Sequence, residues 1–311
     1  MVTPKNTPFA LRKTDWSKRT KPDLNHPWNF YFYRIESATH NLNPANPIGI
    51  FDSGIGGLTV ARAVNKLLPN EKLIYFGDTA HLPYGDKSQK AIRSYATKIS
   101  TFLLDQGCKM IIIACNTASA SAFTTVKKQT AEKALVLNVI DPVVTHVAQK
   151  HSEGKVGVIG TKGTINSRVY VRKLSNTANG IKVVSKATPL LAPMIEEGFY
   201  NNYISRTILH SYLSNKHLAN IEALVLACTH YPLIKKEVKE FYGPAVDIVD
   251  SAKVVAKSVK KELENRGLLN PSKRKPGHRF FVSDYTQSFE ESTKIFFQDA
   301  IQLKKAKIWE D

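Results

Sequence analysis

IIIACNTA occupies residues 111–118, and LVLACTHY occupies residues 224–231. Each is an aliphatic run, rich in β-branched residues in the first case, that ends in Ala-Cys with a threonine close behind. A short continuous apolar run bounded by polar residues reads as a strand buried on both faces, the kind found in parallel sheets. The chain has three cysteines, and two of them, Cys115 and Cys228, sit in this repeated setting.

Working outward, IGIF (48–51), KLIYFGD (72–78), KMIIIAC (109–115) and ALVLNVI (134–140) read as strands. Between them lie helical patterns: GGLTVARAVNKLL (56–68), residues 87–107, and a small-residue helix from about Thr117. Gly107 is placed to cap the second of these, and Asp141-Pro142 reads as the N-cap and first turn of a fourth. The order then restarts. VGVIG (156–160) opens into TKGTI as IGIF opens into DSGIGG, followed by IKVVS (181–185) and EALVLAC (222–228). The offset is 108 residues from Ile48 to Val156 and 113 from Cys115 to Cys228. DIVD (247–250), a helix from about Ser251, RFFVSD (279–284) and a helix near 287–300 complete the pattern.

Strands alternating with helices at this spacing predict an α/β fold. The repeat predicts two similar parallel-sheet domains in a pseudo-twofold arrangement, with the active site in the cleft between them. The expected bounds are 48–143 plus 254–311 for the first and 144–253 for the second. Residues 1–46 mix Pro, Asn, Lys and scattered aromatics and read as an irregular extension. Its one candidate element is WNFYFYRI (28–35).

Composition narrows the class. The chain has 311 residues, 42% of them hydrophobic and 23% charged, which suits a folded protein with a sizeable core. No apolar run approaches the ~18 residues of a membrane-spanning helix, and the N-terminus lacks the apolar core of a signal peptide. Three sparse cysteines fit a reducing compartment, so the expected location is cytoplasmic. The net charge of +18 favours anionic partners. No RNA-binding aromatic motif or helix-turn-helix signature accompanies it, so nucleic acid is not the expected partner and the basic surface reads as solvated.

In open parallel sheets, ligands bind at the carboxyl ends of the strands. Both repeated cysteines fall at such ends, and each is expected to precede a helix whose amides and dipole favour a thiolate. Two thiols facing each other across a cleft suit proton removal from one face of a carbon and return to the other. Asp52 can orient a thiol or pair with an ammonium, while Ser53 and the amides of DSGIGG can bind a carboxylate. Asn116, Thr117, Thr229 and His230 supply hydrogen-bonding groups at the same edge. GDTAHLPYG (77–85) is a loop suited to backbone contacts with a ligand. Cys108, after a helix-ending glycine, reads as structural.

FDSGIGGLTV, YFGDTAHLPYG, ACNTASA and CTHYPL, in this order and spacing, closely resemble the glutamate racemases of the aspartate/glutamate racemase family. The resemblance runs from about Pro47 to the C-terminal helix. It implies a cofactor-independent enzyme that interconverts L- and D-glutamate, the latter a building block of peptidoglycan. Cys115 would deprotonate D-glutamate with help from Asp52. Cys228 would deprotonate L-glutamate with help from His230 and an acid from Glu196-Glu197, which the motif does not separate. Asp52, Ser53, Tyr84, Gly85, Asn116, Thr117, Thr229 and His230 would hold the substrate, Tyr84 through backbone and shape. The resemblance also implies a homodimer, no metal and no membrane. One departure is Thr188, where the family often has a cysteine.

Other readings compete. A relative acting on aspartate would share the motifs. A thiol hydrolase built on Cys228 and His230 would leave Cys115 without a purpose. A zinc site from Cys115, Cys228 and a histidine lacks close-paired ligand spacing. A nucleic-acid-binding protein would show steep salt dependence and no activity.

Overall fold

Ten parallel strands fall into two sheets among the described residues. The computed structural model describes residues 42–178 and 180–309, so WNFYFYRI lies outside the described residues. The first half of the chain runs β1 (Ile48–Asp52), α1 (Leu58–Leu67), β2 (Leu73–Gly77), α2 (Gln89–Asp105), β3 (Met110–Ile113), α3 (Asn116–Thr130), β4 (Leu135–Asn138) and α4 (Ile140–Lys150). It continues with β5 (Glu153–Gly160), α5 (Lys162–Asn166), α6 (Val169–Thr177), β6 (Gly180–Ala187), α7 (Leu191–Glu196), α8 (Tyr203–Leu213) and β7 (Ala223–Ala227). The last elements are α9 (Lys235–Tyr242), β8 (Asp247–Val249), α10 (Ser251–Asn265), β9 (Arg279–Val282), α11 (Gln287–Phe297) and β10 (Leu303–Lys305).

The first sheet has the order β10-β9-β2-β1-β3-β4, the second β6-β5-β7-β8. Removing the two added edge strands leaves β2-β1-β3-β4, which matches the second sheet strand for strand. The repeat in sequence is therefore a repeat in topology. Each sheet has its switch point between its two central strands, β1/β3 and β5/β7, where connections depart in opposite directions and leave a crevice. The registers agree as well: Phe51 pairs with Ile113, and Ile159 pairs with Leu226. Each cysteine lies two residues beyond its half of that pair.

Local sequence explains the boundaries. β1, β2 and β3 are buried at every residue, consistent with a sheet covered on both faces. Helix α2 ends as expected at Gly107, whose φ is +73°. The Gly107 amide donates to Leu104 O at 2.8 Å and the Cys108 amide to Leu103 O at 3.2 Å, a Schellman closure. Cys108 is buried there, with its thiol pushed up to about 12 by burial.

Two expectations need correction. Asp141 does not cap α4; that helix starts at Ile140. Asn138 Oδ1 accepts from the amides of Ile140 and Asp141, both at 2.9 Å, which places Asp141 inside the first turn. β10 was also unanticipated: its Leu-Lys-Lys run carries no alternation that distinguishes a short edge strand from a loop.

The return from the second sheet to the first is anchored by a buried cation. Lys109 is fully buried, its Nζ 2.7 Å from Glu71 Oε2 and 2.8 Å from Leu268 O. Glu71 Oε1 accepts from the Asn270 amide at 2.8 Å, so one ion pair fastens the segment after α10 to the sheet that β9 then joins.

Candidate active site

Four elements bring side chains to the two switch points. Asp52 ends β1, Cys115 follows β3, Thr161 follows β5 and Cys228 follows β7. Asp52 is fully buried, and both cysteines are 6% exposed. The two thiols lie close enough for the charge of one to raise the pKa of the other, and Asp52 feels the charges of both His230 and Glu196. These groups therefore belong to one site that draws on both sheets.

On the β3 side, Cys115 is the N-cap of α3, and its Sγ accepts from the Ala118 amide at 3.4 Å. The thiol lies 3.7 Å from Ser53 Oγ. The expectation that the helix N-terminus would favour a thiolate is not met. Burial and the neighbouring Asp52 charge together push the Cys115 thiol up to about 12, outweighing the Ala118 and Ser53 contacts. Asp52 is itself raised above the usual carboxylate range, mainly by burial. Its Oδ2 accepts from the amides of Gly57 at 2.9 Å and Gly54 at 3.3 Å. Those two amides are thus taken by Asp52, which corrects their assignment to a substrate carboxylate. Asp52 Oδ1 is buried with no protein partner.

On the β7 side, Cys228 Sγ lies 3.6 Å from His230 Nδ1, and His230 Nε2 lies 2.7 Å from Glu196 Oε1. A carboxylate only accepts, so Nε2 carries a proton and Nδ1 faces the thiol. Burial opposes charge on this imidazole, but its hydrogen bonds to Cys228 and Glu196 outweigh burial and raise its pKa well above the usual value. Glu196 is the acid the motif left unseparated; Glu197 is exposed. Cys228 does not cap an α-helix, contrary to expectation. It leads into a short 3₁₀ turn, Tyr231–Ile234, with Pro232 in its first turn.

The two halves touch through named pairs. Thr59 Oγ1 donates to Thr229 O at 2.8 Å. Thr117 Oγ1 lies 2.8 Å from Thr161 Oγ1 and 3.1 Å from Thr164 Oγ1. Tyr170 donates to Asn116 Oδ1 at 2.8 Å. His230 rests on Gly56, where a Cβ would stand 2.3 Å from the ring. Phe296 meets the same ring edge-on, with centroids 5.3 Å apart. Gly85 packs on Thr161 in the same seam, with room for a Cβ only at 3.0 Å.

The structure brings Asp52, Ser53, Asn116, Thr117, Cys115, Thr229, His230, Cys228 and Gly85 together at this seam. The Tyr84 phenol turns elsewhere: it is buried and donates to Asp78 Oδ2 at 2.6 Å. His81 also serves Asp78, at 2.9 Å, while stacking on Tyr95. Thr188 is fully buried, its hydroxyl 2.7 Å from Tyr231 OH. Sequence reasoning missed Gly56, Thr161, Thr164 and Tyr170 as parts of the seam. The threonines were visible as TKGTI opposite DSGIGG; Tyr170 carried no signal. Among the described residues, no cluster of His, Cys, Asp and Glu could hold a metal ion.

Residues 55–259 match the family model for Asp/Glu/hydantoin racemase. The chain is 44% identical over 259 residues to a glutamate racemase of Chlorobaculum parvum, covering 83% of this chain and 95% of that protein. Among solved structures, it resembles glutamate racemase from Francisella tularensis in complex with D-glutamate, with TM-score 0.79 and 39% identity over 86% of this chain and 99% of that one. It also resembles the Thermus thermophilus glutamate racemase bound to β-chloro-D-alanine, with TM-score 0.77 and 35% identity over 85% and 98% of the two chains.

Proposed function

The chain belongs to the Asp/Glu/hydantoin racemase family and is an amino-acid racemase, and from that premise we propose that it interconverts L- and D-glutamate with two cysteine bases and no cofactor. The observation that carries this reading is the placement of Cys115 and Cys228 at equivalent strand ends of two matching sheets, each near its own acid.

In the D-to-L direction, the Cys115 thiolate takes the α-proton and the Cys228 thiol delivers its own to the opposite face. One S–H bond forms and one breaks, and a C–H bond breaks on one face as another forms on the other. The reverse direction exchanges the roles. His230, with Nε2–H held by Glu196, can pass a proton between Nδ1 and Cys228. The buried Oδ1 of Asp52 has no protein partner and suits the substrate ammonium. A cation there lowers both the Asp52 and Cys115 pKa values, because an opposite charge favours the ionised form. Substrate binding would in this way help create the base that attacks it.

D-glutamate so formed would supply peptidoglycan synthesis, in the cytoplasm, from a homodimer. Sedimentation of the purified chain at micromolar concentration tests the last point, with a monomer mass overturning it.

The deciding experiment incubates the metal-chelated, cofactor-free protein with D-glutamate in D₂O. NMR follows loss of the α-proton and circular dichroism follows inversion. Wild type is expected to exchange and invert, whereas Cys115→Ala and Cys228→Ala each lose inversion by a factor of ~10³ or more. A folded wild type that exchanges neither glutamate nor aspartate defeats the reading; exchange with aspartate alone redirects it.

A further inference from the structure

We propose that Tyr170 is a positioning residue for substrate binding and acts through the carboxamide of Asn116. The inference rests on reading the cleft as the glutamate site. Tyr170 lies in the first turn of α6, on the second sheet's side, while Asn116 opens α3 directly after Cys115. Their hydrogen bond, 2.8 Å from the phenol to Oδ1, crosses the seam between residues that are 2% and 3% exposed.

A primary amide can turn about its last torsion and exchange its oxygen for its NH₂. A phenol has a single hydrogen to give. Donating that hydrogen to Oδ1 favours one orientation of the amide; in the reverse orientation the phenol oxygen would accept from Nδ2 and its hydrogen would lose this acceptor. Burial, followed by the charge of Asp141, raises the Tyr170 pKa above its ordinary value, so the phenol remains a donor throughout the neutral range.

With Oδ1 engaged, Asn116 Nδ2 is buried and has no hydrogen-bond partner. An unmet buried donor costs about 1–3 kcal/mol. Such a donor, at the first residue of a 15-residue helix, calls for a negatively charged acceptor. A substrate carboxylate fits that demand. Because Tyr170 and Asn116 come from opposite sides of the seam, the amide is held in this orientation only while the two sides are together.

Tyr170→Phe removes one hydroxyl and keeps the ring. The expected result is a KM about 10-fold higher for both enantiomers with kcat within about 3-fold, the size of one lost hydrogen bond that acts equally on ground and transition states. A purely structural role would disturb the adjacent Cys115 and lower kcat instead. In an Asn116→Ala background, Tyr170→Phe should raise KM by no more than about 2-fold, because the two residues act as one unit. An unchanged KM, a loss confined to kcat, or full additivity with Asn116→Ala overturns the proposal.

Should Tyr170→Phe fail to fold, the wild type labelled with ¹⁵N-asparagine gives an independent reading. The Asn116 NH₂ pair, assigned by its loss in Asn116→Ala, should shift on saturation with glutamate; an unmoved pair overturns the proposal. A wild type that neither binds nor exchanges glutamate removes the substrate reading and this proposal with it, an outcome distinct from an active wild type matched by an unaltered Tyr170→Phe.

Discussion

Cys115 and Cys228 occupy equivalent positions in two sheets of the same order, yet their surroundings differ at nearly every matching place. By the strand registers, Asp52 at the tip of β1 corresponds to Gly160 at the tip of β5, and Ser53 corresponds to Thr161. The first thiol therefore has a carboxyl group on its own neighbouring strand. The second has a glycine there, and its acid, Glu196, comes from α7 through His230. By the offset of 113 residues that relates the cysteines, His230 corresponds to Thr117. By the offset of 108, Thr164 corresponds to Gly56. The Thr117–Thr164 contact at 3.1 Å is thus the counterpart of the His230 ring lying on Gly56. Where one half pairs two small hydroxyl residues, the other places an imidazole, and the residue opposite it has shrunk to glycine. A duplicated framework fixes where the two bases stand, and a few side chains then adapt each base separately.

The largest effect expected from breaking this contrast comes from Gly56→Ala. The added Cβ would stand 2.3 Å from His230 Cε1 and 2.5 Å from Nδ1. The ring must move, and it cannot then keep both Cys228 and Glu196 within reach. We expect kcat to fall by ~10²-fold, in line with a displaced acid–base group, with a stability loss of about 1–3 kcal/mol from overpacking. Kinetics with thermal unfolding on the same sample separate the two. Full activity in this variant would mean that the imidazole on the β7 side is dispensable.

A smaller effect should sharpen the asymmetry through pH. The folded-state pKa of His230 lies above its ordinary value, so the stabilisation from its charged pair with Glu196 is complete below ~6.5 and is lost as pH rises through the folded value. Glu196→Gln removes one of the causes that raise it. The alkaline limb of the kcat/KM profile should move to lower pH, with about a 10-fold loss at pH 8. A profile that keeps its alkaline limb in place would detach Glu196 from the Cys228 side.

The smallest expected effect concerns the other thiol. The Asp52 charge adds to burial in raising the Cys115 pKa, so neutralising it should increase the thiolate fraction at any given pH. In Asp52→Asn, alkylation of Cys115 by iodoacetamide, read by peptide mass spectrometry, should be faster by about 3- to 10-fold at pH 8. The rate at Cys228, whose acid lies on α7, should change less. Equal acceleration at both cysteines would erase the distinction between the two halves.

Much of this framework was legible in residue order. Fully apolar runs such as MIII and ALVLA announce strands covered on both faces, and a glycine such as Gly107 announces the end of a helix. The recurrence of Ala-Cys announced the duplication, because the same strand end must serve the same purpose twice. The misreadings have local causes. Asn138 takes the capping role expected of Asp141 because its side chain, three positions earlier, reaches the amides of Ile140 and Asp141. Pro232 and the His230 side chain accompany a 3₁₀ turn after Cys228 where a helix like α3 was expected.

What the sequence by itself determined is the α/β class, the twofold repeat and the two strand-end thiols, since each depends on periodicity and on neighbours along the chain. Only the tertiary structure decided that Glu196 rather than Glu197 reaches His230, that Gly56 makes room for that ring, and that Tyr170 holds Asn116. These contacts join residues as far apart as 174 positions, as between Gly56 and His230. Hydrogen bonds and close packing act over a few ångströms in space, so the pairs that cross the seam, Gly56 with His230 and Tyr170 with Asn116, exist only once two folded sheets have brought their carboxyl edges together.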